Sequence, residues 1–369
     1  MLPPAPVLDL IQKNGRLSIP SSDVYTVVQM VQSAWPDLDS TWGEKGLVER
    51  ISKVCSIKDL TTIGTILFDH SVAGKPLGCK VLEICKNEGN MDAEFKYAHA
   101  ISQGFPGQKR DLERSIALLE SLVAKRHPLS TFVYALRLIK QATHQLPSPS
   151  TAAAASTPPA ADIPKLTKGL RTLHACAREL AFPQAQMQMG HLYLYGGLGV
   201  PRDAALAYPF LEGAARAGIP EAMFLCGVCW EKGDGTPGGV DFRKAFEWWT
   251  LAANKGLAIA QHNVASFFFG SHVSTSLSTP FPIEKNIPLA LEYFEMAATQ
   301  GLPLSLVNLA KLYKEGYRPL RGEPKFWAVA VDLNKARDYA ERVTHLEGNW
   351  GDLGKSLLED IDEERGVKN

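Results

Sequence analysis

The chain has 369 residues, 45% of them apolar and 21% charged, a composition with ample material for a core that excludes wholesale disorder. Thirty-nine basic residues balance 39 acidic ones, so no global field draws the chain to a phosphate backbone or an anionic membrane. Six cysteines, at positions 55, 79, 85, 176, 226 and 229, are too few and too irregular for a disulfide framework, and no run of 18 apolar residues offers a membrane span.

Residues 1–20, with three prolines in the opening six, lack the apolar core of a secretion signal. Lys13 and Arg16, with Asp9 close by, make only a weak import segment, so the expected location is intracellular and cytoplasmic, with a mitochondrial one as the alternative. Residues 1–58 are read as an N-terminal extension whose part from about 21 to 58 forms a helical cap.

From residue 59 the chain repeats itself. A degraded unit starts at Asp59, with Ile63, Gly64 and Leu67 in register and Gly89 closing it. Clearer units start at Ala93, Ser130, Ala185, Ala222, Ala260 and Ser305. In AQMQMGHLYLYG from Ala185, AMFLCGVCWEKG from Ala222 and SLVNLAKLYKEG from Ser305, a small residue is followed by a second small residue, an aromatic and a glycine at fixed offsets. Ala93, Ala98, Ile101 and Gly104 follow the same scheme, as do Ala260, Ala265 and Phe268, with Gly270 one position early. A second pattern trails the first, clearest in DFRKAFEWWTLAANKG from Asp241, and ends in pairs of small residues such as Ala214–Ala215 and Ala297–Ala298. Apolar residues three and four apart share one face of a helix, so each unit reads as two helices.

The punctuation agrees. Pro128, Pro183, Pro220 and Pro303 suit first-helix starts, where the missing amide has no partner to lose. Asp203, Asp241, Asn286 and Asp332 suit N-caps of second helices, and Gly89, Gly218, Gly256 and Gly301 suit their left-handed ends. Three stretches break the period. Residues 145–164 are expected to be a flexible insertion between two helices, and Ser271–Pro282 plays the same part later. Lys314–Val331 lengthens the last unit, and its Phe326 and Trp327 are expected to pack that segment back on the array. The array is expected to span 59–345, with 346–369 as a helical tail.

Tyr193, Gly196, Gly199, Val200, Asp203, Ala207, Phe210, Ala214, Ala215 and Gly218, and the stretch from Asp241 to Gly256, resemble the Sel-one-like repeat, a subclass of the tetratricopeptide superfamily. The resemblance covers about three quarters of the chain and implies an all-α fold, a right-handed α-solenoid of six to seven helical hairpins. Ala185, Gly190, Ala214 and Ala215 would let helix axes approach, while Tyr193, Trp230, Trp248 and Phe294 fill the spaces between. The resemblance also implies a partner-binding inner face on the first helices. By repeat register that face comprises Phe95, His99, Phe132, Met187, His191, Tyr195, Phe224, Val228, Glu231, His262, Phe269, Val307 and Lys311.

Candidate chemistry is sparse. Cys226 and Cys229 form a lone CxxC inside a first helix, which suits a buried apolar role better than a metal or redox site. The nine histidines are scattered, and the glycines of residues 233–239 serve the inter-helix turn rather than a phosphate. No catalytic residue, metal or cofactor is expected. The function read from the sequence is a non-catalytic scaffold or adaptor that holds a protein or peptide segment, with nucleic acid and small molecules disfavoured. Its alternatives are a mitochondrial assembly factor of the same fold and, remotely, a beta-lactam-hydrolysing enzyme. Relatives resembling the latter carry a disulfide in each repeat, a regular cysteine pair that these units lack.

Overall fold

The computed structural model describes residues 2–35, 41–105, 108–143, 162–270 and 284–366. Most of the 145–164 insertion and all of Ser271–Pro282 lie outside the described residues. Among the described residues the chain is helical, with no strand beyond isolated bridges. It divides into two compact units, Met1–Leu180 and Ala181–Asn369.

The first unit holds α1 (Ala5–Lys13), α2 (Ser21–Ala34), α3 (Thr41–Ile51), α4 (Ile57–His70), α5 (Lys75–Asn87), α6 (Met91–Gln103), α7 (Leu112–Ala124), α8 (Pro128–Thr143) and α9 (Ile163–Arg178). Helices α4 and α5, α6 and α7, and α8 and α9 form antiparallel hairpins. Val24, Val27 and Val31 of α2 and Leu47 of α3 join Ile63 and Leu67 of α4 in one buried cluster, which also takes in Leu8 of α1. The second unit holds α10 (Pro183–Tyr195), α11 (Ala204–Arg216), α12 (Pro220–Lys232), α13 (Phe242–Asn254), α14 (Ala258–Phe269), α15 (Ile287–Thr299), α16 (Pro303–Glu315), α17 (Leu333–Thr344) and α18 (Asn349–Glu364). Four more hairpins run from α10 to α17, and α18 buries Leu357 and Ile361 against the last of them. The solenoid architecture thus comprises seven hairpins among the described residues.

The repeat positions explain how a hairpin closes. Asp203, Asp241 and Asn286 each accept the amide three residues on, and Asp332 accepts from Asn334 and Lys335, so the second helices are capped as the sequence predicts. The backbone amide of the same cap residue donates back to the first helix: Asp203 to the Tyr193 carbonyl at 2.7 Å, Asp241 to Trp230 at 2.8 Å, Asn286 to Phe268 at 2.8 Å and Asp332 to Tyr313 at 2.8 Å. Asp111 does the same to Ile101 at 3.0 Å. One residue therefore starts the second helix and clasps it to the first.

The second small position of each first helix is where its partner crosses. A Cβ added at Gly190 would lie 2.7 Å from Leu211, and one at Gly227 would overlap the indole nitrogen of Trp249. Ala98, Ala135, Ala265 and Ala310 hold the equivalent place and are fully buried. Around these crossings Trp230 and Phe294 are buried as expected, while Tyr193 and Trp248 are half-buried and pack at the margin.

The 314–331 segment departs from expectation. Phe326 is 76% exposed, so it does not pack the segment on the array. Polar contacts hold the segment, with Val329 packed on the array. Tyr317 and Val329 exchange backbone hydrogen bonds, and Glu323 accepts the Tyr317 hydroxyl and the Leu320 amide and pairs with Lys285 at 3.0 Å. A carboxylate with three partners thus fixes the loop, alongside the packing of Val329 on the cluster of α14–α18.

Candidate interaction surface

Each first helix turns its small residues toward its hairpin partner, which leaves another face for other work. On that face His99, His191, Tyr195 and Lys311 are exposed, and the His191 and Tyr195 rings lie 4.8 Å apart. Phe95, Phe132, Met187, Phe224, Val228, Glu231 and Phe269 are half-buried. Met187, Phe224 and Val228 lean on the core of α10–α15, and Phe269 meets the rings of Phe294 and Tyr317 edge-on.

Two expected surface residues are core residues instead. His262 is buried beneath α15 and α16, its Nδ1 2.9 Å from the Ser305 hydroxyl and its ring 5.3 Å from Phe294. Val307 is buried in the cluster of α14–α18. Both sit where the following helices close over α14 and α16, so register alone puts them on the wrong side.

In the first unit the same face borders a groove of about 690 Å³. Ile66 and Asp69 of α4, Phe95 and Lys96 of α6 and Leu129 of α8 line it, and α1 supplies Val7 and Ile11. The contribution of α1 has no counterpart in the repeat pattern and could not be read from it. Alongside these apolar residues the groove is lined by Arg16 and Lys58 as well as Asp69 and Asp92.

One arrangement imitates a catalytic triad. His127 Nδ1 lies 2.7 Å from Ser130 Oγ, and its Nε2 lies 3.2 Å from Asp92. The Ser130 side chain is fully buried, and the Ser130 amide also points at His127 Nδ1 at 3.3 Å. This is the cap of α8 by the residue before it, and a hydroxyl with no access to solvent cannot reach a substrate. The thiols are equally inert in geometry. All six cysteines are free and buried, and burial first, then the Asp234 carboxylate, pushes the Cys229 thiol up to about 12. No group of His, Cys, Asp and Glu fit to hold a metal ion occurs among the described residues.

A sequence model of the Sel1 repeat matches residues 92–125, 183–219, 220–257 and 258–302. The chain carries Sel1 repeats. The matched stretches correspond to the α6–α7 hairpin and to the three hairpins from α10 to α15. No curated protein matches the chain. Among solved structures it is similar to a protective antigen of uropathogenic Escherichia coli displaying an SLR fold, with a TM-score of 0.60 and 16% identity over 87% of this chain. The match spans 60% of that antigen's length. It is also similar to a Sel1 repeat protein from Oxalobacter formigenes, with a TM-score of 0.58, 20% identity and coverage of 92% of this chain and 88% of the other. At these identities the likeness establishes the Sel1-repeat fold. No helix among the described residues is long and apolar enough to cross a membrane.

Proposed function

We propose that this Sel1-repeat chain is a non-catalytic scaffold that holds a segment of a partner protein on the free face of its first helices. One observation carries the reading: hairpin packing consumes the small-residue face of each first helix and leaves His99, His191, Tyr195 and Lys311 uncovered. In the first unit the half-buried Phe95 lines a groove with apolar and charged residues, and in the second the exposed Tyr195 stands beside His191; aromatic side chains of this kind anchor a peptide, with nearby charges fixing its register. The buried thiols and the capping role of the Ser130–His127–Asp92 set support a binding rather than a catalytic role.

The test is recovery of partners from the native cell by the wild type and by two folded variants, the His191→Glu, Tyr195→Glu double substitution and Phe95→Glu. Loss of the same partner from either variant supports the reading. Equal recovery from all three overturns it.

A further inference from the structure

Arg137 of α8 is half-buried, and no carboxylate reaches it among the described residues. Its Nη1 donates to Ser115 Oγ at 2.9 Å, and that fully buried hydroxyl at the start of α7 donates to the Ala98 carbonyl of α6 at 2.7 Å. The guanidinium is thus set in place by one neutral acceptor, which leaves four of its five N–H donors for something else. Burial, and then the like charge of Arg110, hold its pKa below the ordinary value. Partial burial makes an incoming anion a better partner for the remaining donors than bulk water is for a fully exposed arginine.

The surroundings have the same sign. His99 and Lys96 come from α6, and Arg110 stands just ahead of α7. Burial, the Lys96 ammonium and Arg137 all depress the His99 pKa, against an opposing pull from Asp69. Of these groups Lys96 also lines the groove that holds Ile66, Phe95 and Leu129, and His99 follows it by three residues on the same helix.

From this arrangement we infer that the α6–α8 face of the first unit binds an acidic peptide segment, with a carboxylate on the Arg137 guanidinium and the neighbouring apolar residues in the groove beside Phe95. A fork of parallel N–H groups matches a carboxylate in geometry as well as charge. The groove interleaves Asp69 and Asp92 with Arg16, Lys58 and Lys96, a mixed lining that suits a discrete carboxylate flanked by apolar side chains better than a continuous polyanion. The inference deepens the scaffold reading and rests on it.

The experiment measures fluorescence anisotropy of the full chain with three labelled probes: a short peptide of Glu and Leu, the same peptide with Gln for Glu, and a single-stranded oligouridylate. The Glu peptide is expected to bind about tenfold tighter than the Gln peptide, the size of one charge-assisted pair, and more weakly as salt rises. Arg137→Gln should remove that preference and leave the affinity of the Gln peptide unchanged. Arg110→Ser, at an exposed position outside any helix, should reduce the preference in part, and it decides the matter if the first variant fails to fold by circular dichroism. Equal binding of the two peptides, a preference that survives the substitutions, no peptide binding, or tighter capture of the oligouridylate each overturns the inference. If the Gln peptide binds as well as the Glu peptide and loses affinity in Phe95→Ala, the acidic specificity falls while the scaffold reading stands.

Discussion

The Asp59 carboxylate at the first turn of α4 takes both the backbone amide and the hydroxyl of Ser18, at 2.7 and 2.6 Å, across 41 residues of sequence. It also accepts the Ser56 amide and hydroxyl, at 3.3 and 2.6 Å, and so completes a capping box. A single buried acid therefore starts the first hairpin and ties the N-terminal segment to it. Burial would raise the carboxyl, but the hydrogen bonds from Ser18 and Ser56 outweigh it and hold its pKa below the ordinary 3.8.

Asp59→Ala should cost the first unit about 2 kcal/mol, because it removes the carboxylate half of the capping box together with the hydrogen bonds from Ser18. Urea unfolding checks this, and a midpoint within error of the wild type would contradict it. The pH dependence has a definite sign. A folded pKa below the unfolded one stabilises fully above 3.8, and that gain is lost as pH falls through the folded value. The gap between wild type and Asp59→Asn should therefore be narrower at pH near 3 than near 6.

Gly227→Ala should destabilise the second unit by about 3 kcal/mol, since the new methyl enters the space of a fully buried indole. Trp249 cannot turn away cheaply, because its Nε1 donates to the Phe224 carbonyl at 3.1 Å and its ring meets Phe267. Thermal unfolding followed by tryptophan fluorescence reads the loss. Ala265 holds the equivalent place in the next hairpin with its Cβ fully buried, so wild-type stability in Gly227→Ala would refute the crossing argument.

The native chain should resist thiol modification. Burial raises every cysteine, Cys55 and Cys176 to about 11 and Cys79 and Cys85 to about 12, so the reactive thiolate is scarce near neutrality as well as inaccessible. A brief maleimide pulse read by mass spectrometry should label none of the six in the native protein and all six in denaturant. Rapid native labelling of Cys226 or Cys229 would reopen a redox role for that pair.

The hairpins were legible because their physics is local. A cap needs Asp or Asn within three residues of the amide it serves, and a helix crossing needs a small residue at one fixed position, so Asp241 and Gly227 announce themselves. The surface was legible only in part. Register chooses a side of a helix, but later helices decide whether that side meets water, and α15 and α16 bury His262 while leaving Tyr195 exposed on α10. Arg137 gave no signal at all, since an arginine that lacks a carboxylate is recognised only when its neighbours in space are known. Phe326 misled because an aromatic in a long loop suggests burial, whereas the Glu323 network had already anchored that loop.

The clasp from each cap amide to the preceding helix makes loop length nearly irrelevant to the architecture. The clasped residues are ten apart at Tyr193 and Asp203 and nineteen apart at Tyr313 and Asp332, yet both bonds close within 0.1 Å of the same length. Doubling a connection costs only about 0.6 kcal/mol of closure entropy. Evolution, or an engineer, can therefore splice a foreign segment between Tyr313 and Asp332 and display it on a rigid support, as though the array were a rack with interchangeable fittings.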